Sequence, residues 1–288
     1  MDTTDRSLLR EQKNEITSHL IYAKLAANTR DDKNADILRR MSDDELRHYN
    51  ELKEITGREV KPSGGKIIFF YLISRILGLT FGLKLLEKAE DSAVDIYGAM
   101  VDKYPQLKNF VEDEQTHELL LIDMIDEEKL NYMGSVVLGL NDALVELTGA
   151  LAGFTFAFQN TRMIAMTGLI TGISASFSMA ASEYLSTRQE KGEKGKAIKA
   201  AIYTGVAYVF TVVVLILPYF LFANPFVCLG VSLFLAVTVI FVFNYYISVV
   251  KETPFRRRFL EMAAISLGVS GISFLIGMLV KSAFGIEV

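Results

Sequence analysis

Apolar positions divide the chain into two unlike parts. The first 66 residues are rich in charge, whereas from about Ser135 onward long apolar runs dominate. Five of these runs are long enough to cross a hydrocarbon core, which takes about 20 apolar residues per helix. They predict membrane helices at roughly 135–157, 163–187, 198–221, 226–249 and 260–284.

The polar part predicts four helices arranged as two hairpins. Residues 5–29 and 34–56 form the first pair, and residues 85–103 and 106–130, separated at Tyr104-Pro105, form the second. Two helical hairpins joined by a long connection are one of the four-helix bundle topologies. We therefore predict an all-α protein, with a bundle domain in residues 1–130 and a five-helix transmembrane domain in residues 131–288.

The connection between the hairpins contains a further apolar stretch at residues 66–86. It is nearly long enough to span a membrane, but Arg75 lies in its middle and Lys66 and Lys84 flank it. A sixth span would also place the second hairpin on the wrong side of the membrane. We expect an interfacial or docking helix instead, packed against the bundle or the membrane surface.

Basic residues are concentrated in alternate membrane loops. Loop 188–199 carries five Lys or Arg residues and loop 250–259 carries four, whereas loop 158–162 has only Arg162 and loop 222–225 has none. Because Lys and Arg accumulate on the cytoplasmic side, the bundle is predicted in the cytosol and the C-terminus outside the cell membrane. The single Cys228 excludes an internal disulfide, and the polar N-terminus predicts no signal peptide.

Acidic residues inside the predicted membrane helices are the first candidates for chemistry. Asp142 and Glu146 are four residues apart in the first helix, as are Met179 and Glu183 in the second. Ionised groups in hydrocarbon are costly and usually line a pathway. At similar depth, these four side chains suit a divalent cation. The alternatives are a position of Glu183 at the headgroups, near Arg188, and a simple packing role for Met179.

The four bundle helices carry a repeated pattern of carboxylates and histidines. Each Glu-x-x-His motif places both side chains on one helix face. Two such helices plus one Glu from each of the others make a dinuclear metal site, the alternative being a solvated charged face. Only three His occur in the chain, and two of them fall in the pattern. The candidate ligands are Glu15, Glu45, His48, Glu90, Glu114 and His117, with Glu87 replacing or joining Glu90.

These motifs resemble two known families. Through the bundle ligands, residues 5–130 resemble the ferritin-like, rubrerythrin-type domain. Through GLNDALVELTGALAG and SMAASEYLSTRQE, residues 131–288 resemble the vacuolar iron transporter family. The combination is similar to the membrane-bound ferritins, in which a ferritin-like domain is fused to an iron exporter.

The resemblance implies a homodimer that binds iron at a di-iron site and moves Fe²⁺, and often Mn²⁺, out of the cytosol against protons. Asp142 and Met179 match the family's membrane path, and Glu146 and Glu183 match its further acidic positions. The short loop TRQEKGEKGKA departs from the plant transporters, which carry a metal-binding insertion there. The bundle is then expected to capture the metal.

We therefore expect a metal exporter of the lipid membrane, with metal ions as its cargo and no nucleic-acid partner. Two other functions fit the same residues. One is a membrane-anchored enzyme in which the di-iron site oxidises Fe²⁺ with O₂ or reduces peroxide. The other is a sensor, in which metal binding to the bundle only gates the pore.

Overall fold

A computed structural model of the protein describes residues 3–124 and 132–284, and within them every regular element is an α-helix. The chain divides into two compact units, Met1–Glu127 and Glu128–Val288, which we call the N-terminal and C-terminal units.

The described part of the N-terminal unit contains helices α1 Thr3–Ala26, α2 Asp32–Thr56, α3 Gly64–Leu77, α4 Leu79–Gly98 and α5 Leu107–Asp123. Helix α1 packs along α2, α4 packs along α5, and α2 meets α5. Helix α3 lies against α1 and α4. The last seven residues predicted for the fourth bundle helix, 124–130, fall after α5, and all but residue 124 lie outside the described residues.

Gly78 divides the predicted apolar crossover into two elements. Its backbone has φ 106° and ψ 151°, a region that is essentially restricted to glycine. Helix α3 therefore ends at Leu77 and α4 begins at Leu79. Residues 79–86, which the sequence analysis assigns to the crossover, form the first turns of α4. Apolar periodicity alone does not reveal the helix break at Gly78.

Two apolar clusters lie in the N-terminal unit, and along α1, α2 and α5 polar side chains lie between them. One cluster includes Ile21, Leu38, Met41, Phe70, Leu83 and Leu121. The other consists of Leu8, Leu52, Ala93, Tyr97, Leu107 and Phe110. Along α2, for example, Glu45 and His48 fall between Met41 of the first cluster and Leu52 of the second. Buried positions recur with the period of the helix. They therefore place the candidate ligands in the layer between the two apolar clusters.

The described part of the C-terminal unit contains α6 Met133–Phe158, α7 Thr161–Lys191, α8 Lys194–Leu221, α9 Pro225–Lys251 and α10 Phe255–Phe284. All five helices are long and apolar enough to cross a membrane. Each contains one of the five predicted runs, so the prediction of a multi-pass membrane protein is confirmed.

Close helix contacts in the C-terminal unit depend on small residues. Helix α6 packs against α8 and α10, and α7 packs along α8. At Gly139 of α6, an added Cβ atom would lie 2.4 Å from the backbone oxygen of Thr204 in α8. Such a distance leaves no room for any side chain, so the backbones touch directly there.

We predict that Gly139→Ala destabilises the C-terminal unit, because its methyl group meets backbone that has no rotamer to change. Overpacking of this kind costs about 1–3 kcal/mol. The melting temperature of the detergent-solubilised protein should fall by several degrees. Gly134→Ala is the matched control, since an added Cβ atom at Gly134 meets nothing within 4 Å. Equal melting of the two variants would contradict this account of the contact.

Candidate metal sites

The N-terminal unit brings four of the predicted ligands together. Glu15 comes from α1, Glu45 and His48 come from α2, and Glu114 comes from α5. One ligand atom from each of them lies within 4.8 Å of the others. Glu15, Glu45 and His48 are buried, and Glu114 is partly buried. The arrangement is the size of a metal-binding centre.

Both histidines direct Nδ1 toward the carboxylates of this cluster. His48 Nδ1 lies 3.4 Å from Glu15 Oε2 and 3.9 Å from Glu114 Oε1. His117 Nδ1 lies 3.5 Å from Glu45 Oε1 and 3.8 Å from the other oxygen of Glu114. His117 therefore extends the cluster, and Glu114 faces both imidazoles.

Several inner atoms of the cluster make no hydrogen bond and are available to a cation. Among the described residues, Glu15 Oε2, His48 Nδ1 and His117 Nδ1 are buried without a hydrogen bond. Each such buried polar atom costs about 1–3 kcal/mol, so a native fold rarely leaves several together. Carboxylate oxygens and imidazole nitrogens are ligands of Fe²⁺, Mn²⁺ and Zn²⁺.

An aspartate from the opposite helix holds the far nitrogen of each histidine. His48 Nε2 lies 3.1 Å from Asp113 Oδ2, and His117 Nε2 lies 3.2 Å from Asp44 Oδ2. Arg47 donates to both aspartates at 2.7 Å. With Nε2–H bound to a carboxylate, Nδ1 is left as the lone-pair nitrogen, which is the usual arrangement of a metal-ligating histidine.

Asp44 and Asp113 belong to the candidate centre but are absent from the predicted ligands, although the sequence contains a signal for them. Each one directly precedes the Glu of a Glu-x-x-His motif, so Asp-Glu-x-x-His occurs in both α2 and α5.

Tyr97 and Phe110 complete the walls of the cluster. The Tyr97 hydroxyl donates a hydrogen bond to Glu15 Oε1, although Tyr97 belongs to the other hairpin. The Phe110 ring stacks on His48, with ring centroids 4.0 Å apart. These contacts fix the orientation of one carboxylate and one imidazole.

The ligands predicted from α4 are not among the residues that converge in the described part of the chain. Glu87 lies half-buried in α4 and is not among the four converging residues. Glu90 also belongs to α4, but its side chain lies outside the described residues. The ligand from this helix therefore stays a prediction. His19, the third histidine of the chain and not a predicted ligand, forms a hydrogen bond with Ser42, with 2.9 Å between Nδ1 and Oγ, and is not in the converging set.

Electrostatics within the cluster favour charged side chains. Burial alone would raise the pKa of Glu15, but Glu45, His48 and Tyr97 lower it below its ordinary value. Burial alone would lower the pKa of His48, yet the carboxylates of Glu15, Asp113 and Glu114 raise it to about 9. The metal-free centre therefore contains protonated imidazole beside ionised carboxylate.

The acids of the C-terminal unit are arranged more openly. Asp142 is partly buried on α6, and Glu146, one turn later, is exposed on the surface of the unit. Glu146 Oε2 accepts a hydrogen bond of 2.7 Å from the hydroxyl of Tyr208 in α8, whose ring is buried. The sequence reasoning gave no signal for Tyr208, because its role depends on how α8 packs.

Glu183 and Met179 have other neighbours. Glu183 Oε1 accepts a 2.6 Å hydrogen bond from Ser135 of α6 and a 3.5 Å bond from Thr187. Met179 packs against the apolar core of the C-terminal unit. In the part of the chain that the structure describes, these membrane residues do not join three or more ligand atoms as the N-terminal cluster does.

The five apolar helices and the acids within them define a multi-pass membrane protein. The VIT family model matches residues 133–194, which cover α6 and α7 with Asp142, Glu146, Met179 and Glu183. The match and the five helices support a membrane domain of the vacuolar iron transporter type, and the family suggests transport of iron or manganese. No protein with a curated description matches the chain.

We predict that metal binding to the N-terminal cluster strengthens as pH rises, because the ion must displace the proton of His48, whose pKa is about 9. The affinity for Mn²⁺ should increase up to about tenfold per pH unit between roughly pH 6.5 and 8.5. Calorimetric titration of the chelator-treated protein in detergent measures it. A pH-independent affinity would contradict the prediction, and His19→Gln, outside the converging cluster, should keep the wild-type slope.

The same proton has the opposite effect on the metal-free fold. His48 has a higher pKa in the folded than in the unfolded chain, so its contribution to stability is complete below about pH 6.5 and is lost as pH rises through about 9. Chelator-treated protein should therefore unfold more easily at alkaline pH, and bound metal should remove this dependence.

Proposed function

We propose that the protein exports Fe²⁺, with Mn²⁺ as the alternative cargo, from the cytosol across the cell membrane in exchange for protons. The observation that carries the proposal is the VIT family match over the two helices that hold the intramembrane acids. The converging carboxylates and imidazoles of the N-terminal unit support a second, cytosolic binding step on the same chain.

In the proposed cycle, the N-terminal unit is a ferritin-like bundle that captures cytosolic metal at Glu15, Glu45, His48, Glu114 and His117. Asp44 and Asp113 orient the two imidazoles for this step, and Tyr97 orients Glu15. Glu87 or Glu90 supplies the remaining carboxylate from α4. Binding releases the proton of His48, so the affinity of the centre follows the local pH.

The membrane step uses Asp142 and Glu146, with Met179 and Glu183 as further ligands of the path. Carboxylates bind metal only when they are deprotonated, so protons arriving from outside compete with the ion for the same oxygens. This competition gives exchange of metal for protons without a separate proton pathway. Tyr208 holds Glu146 in place through its 2.7 Å hydrogen bond.

A homodimer is part of the proposal, because a single chain leaves its membrane site open. Glu146 is exposed although it lies in a membrane-length helix, where contact of a carboxylate with lipid is costly. A second copy facing this surface would shield the acid and double the number of ligands. The basic loops 188–199 and 250–259 support an orientation with the N-terminal unit in the cytosol and the C-terminus outside.

We predict that Asp142→Asn reduces metal transport by at least about tenfold in proteoliposomes, because the amide cannot exchange a proton for a cation. Uptake of Mn²⁺ and the accompanying proton flux are measured together, and both should fall. Glu190→Gln makes the same charge change at an exposed position of α7 and should transport normally. Unaltered transport by the Asp142 variant would overturn the proposed path.

We predict that Glu45→Gln raises the KM for metal severalfold and leaves kcat within about twofold, because capture by the bundle matters most when metal is scarce. Glu54→Gln, on the exposed face of α2, is the control. A loss of kcat at saturating metal would instead indicate a sensing gate. Oxygen consumption that requires Glu45 and His48 but not Asp142 would favour the membrane-anchored oxidase.

A further inference from the structure

Helix α3 has two apolar faces, and only one of them packs against the described part of the N-terminal unit. On the inner face Phe70 is buried, and Ile67 and Tyr71 pack against the core. On the outer face Ile68, Phe69, Leu72 and Ile76 are 56%, 52%, 50% and 71% exposed. Positions 68, 72 and 76 are four residues apart, so the exposed side chains form one continuous stripe along the helix.

This stripe is unusual for a surface that faces water. Isolated apolar side chains are normal on protein surfaces, but a contiguous patch of large ones marks a contact with another apolar body. Burial of such side chains contributes about 25 cal/mol per Å² of area removed from water. The expected occupant is therefore apolar and extended along the length of the helix.

The charges around the stripe indicate which apolar body it meets. Helix α3 carries two cations, Lys66 near its start and Arg75 near its end, and no acidic residue. Both cations are exposed. An apolar face bordered by cations is the composition of helices that lie in the interface of a membrane with anionic lipids.

A bilayer is also within reach of the N-terminal unit. Helix α5 ends at Asp123, and the first membrane-length helix, α6, begins at Met133. These ten residue steps, from 123 to 133, span at most roughly 35 Å even when the chain is fully extended. The stripe is thus presented at a high local concentration of lipid.

We propose that the outer face of α3 lies in the headgroup region of the bilayer, with Ile68, Phe69, Leu72 and Ile76 directed toward the acyl chains. Lys66 and Arg75 contact the phosphates of anionic lipids from the two ends of the helix. The inner face remains bound to the core through Phe70, so the docking needs no rearrangement of the helix. This surface contact is independent of whether the protein transports metal.

The natural chain contains no tryptophan, so the fluorescence of a single introduced tryptophan reports the contact directly. The full-length Phe69→Trp protein is reconstituted into vesicles of phosphatidylcholine and phosphatidylglycerol in which the phosphatidylcholine has brominated acyl chains. Lys108→Trp is the matched control, since the Lys108 side chain of α5 is 71% exposed and bordered by charge. We expect the brominated lipid to quench the fluorescence of Phe69→Trp at least threefold more than that of Lys108→Trp, and aqueous iodide to quench Lys108→Trp more.

Two outcomes would overturn the proposal. Quenching of the Phe69→Trp protein by iodide to the same extent as the control would mean that the stripe faces water. Protection of its tryptophan from both iodide and brominated lipid would mean that protein, most simply a second copy of the chain, covers the stripe.

The role of the cations is tested in the Phe69→Trp background. Replacement of Lys66 and Arg75 by Gln should reduce lipid quenching in vesicles that contain phosphatidylglycerol and have little effect in pure phosphatidylcholine. Unchanged quenching in both lipids would remove the two cations from the proposed contact and would contradict recognition of anionic headgroups.

Discussion

The N-terminal unit depends on a set of buried, negatively charged oxygens that are held apart from water by apolar layers on both sides. The layers of Met41 and Leu52 on α2 show the principle, because Glu45 and His48 are buried between them. Such a layer is unfavourable unless protons or cations neutralise it. A bound cation would therefore complete the charge balance of this layer.

The C-terminal unit solves a related problem differently. Its acidic residues lie in helices with few other polar side chains. Two of these acids accept a hydrogen bond from a hydroxyl of a neighbouring helix: Glu146 from Tyr208 and Glu183 from Ser135. A hydroxyl contact orients a carboxylate without neutralising it. Such contacts leave the carboxylate charge available to a cation, as the proposed passage of an ion requires.

Much of the fold follows from the sequence, because membrane-length apolar runs and the repeated Glu-x-x-His spacing are local signals. The five membrane helices and the convergence of Glu15, Glu45, His48 and Glu114 are of this kind. Gly78 ends a helix within an apolar run through its positive φ, and the presence of a glycine alone does not predict this conformation. The bonds of Tyr97 to Glu15 and of Tyr208 to Glu146 join residues 82 and 62 positions apart and depend on tertiary packing.

The contacts that orient the N-terminal centre all cross between the two hairpins. Asp113 holds His48, Asp44 holds His117, and Tyr97 holds Glu15. The first hairpin therefore leaves the ribosome before Tyr97 and Asp113, the residues that orient its ligands, have been synthesised. The full set of these contacts can form only when α5 has been synthesised, and the next helix that the structure describes is α6. A newly made chain therefore lacks the contacts that orient these ligands until shortly before its first membrane-length helix is synthesised.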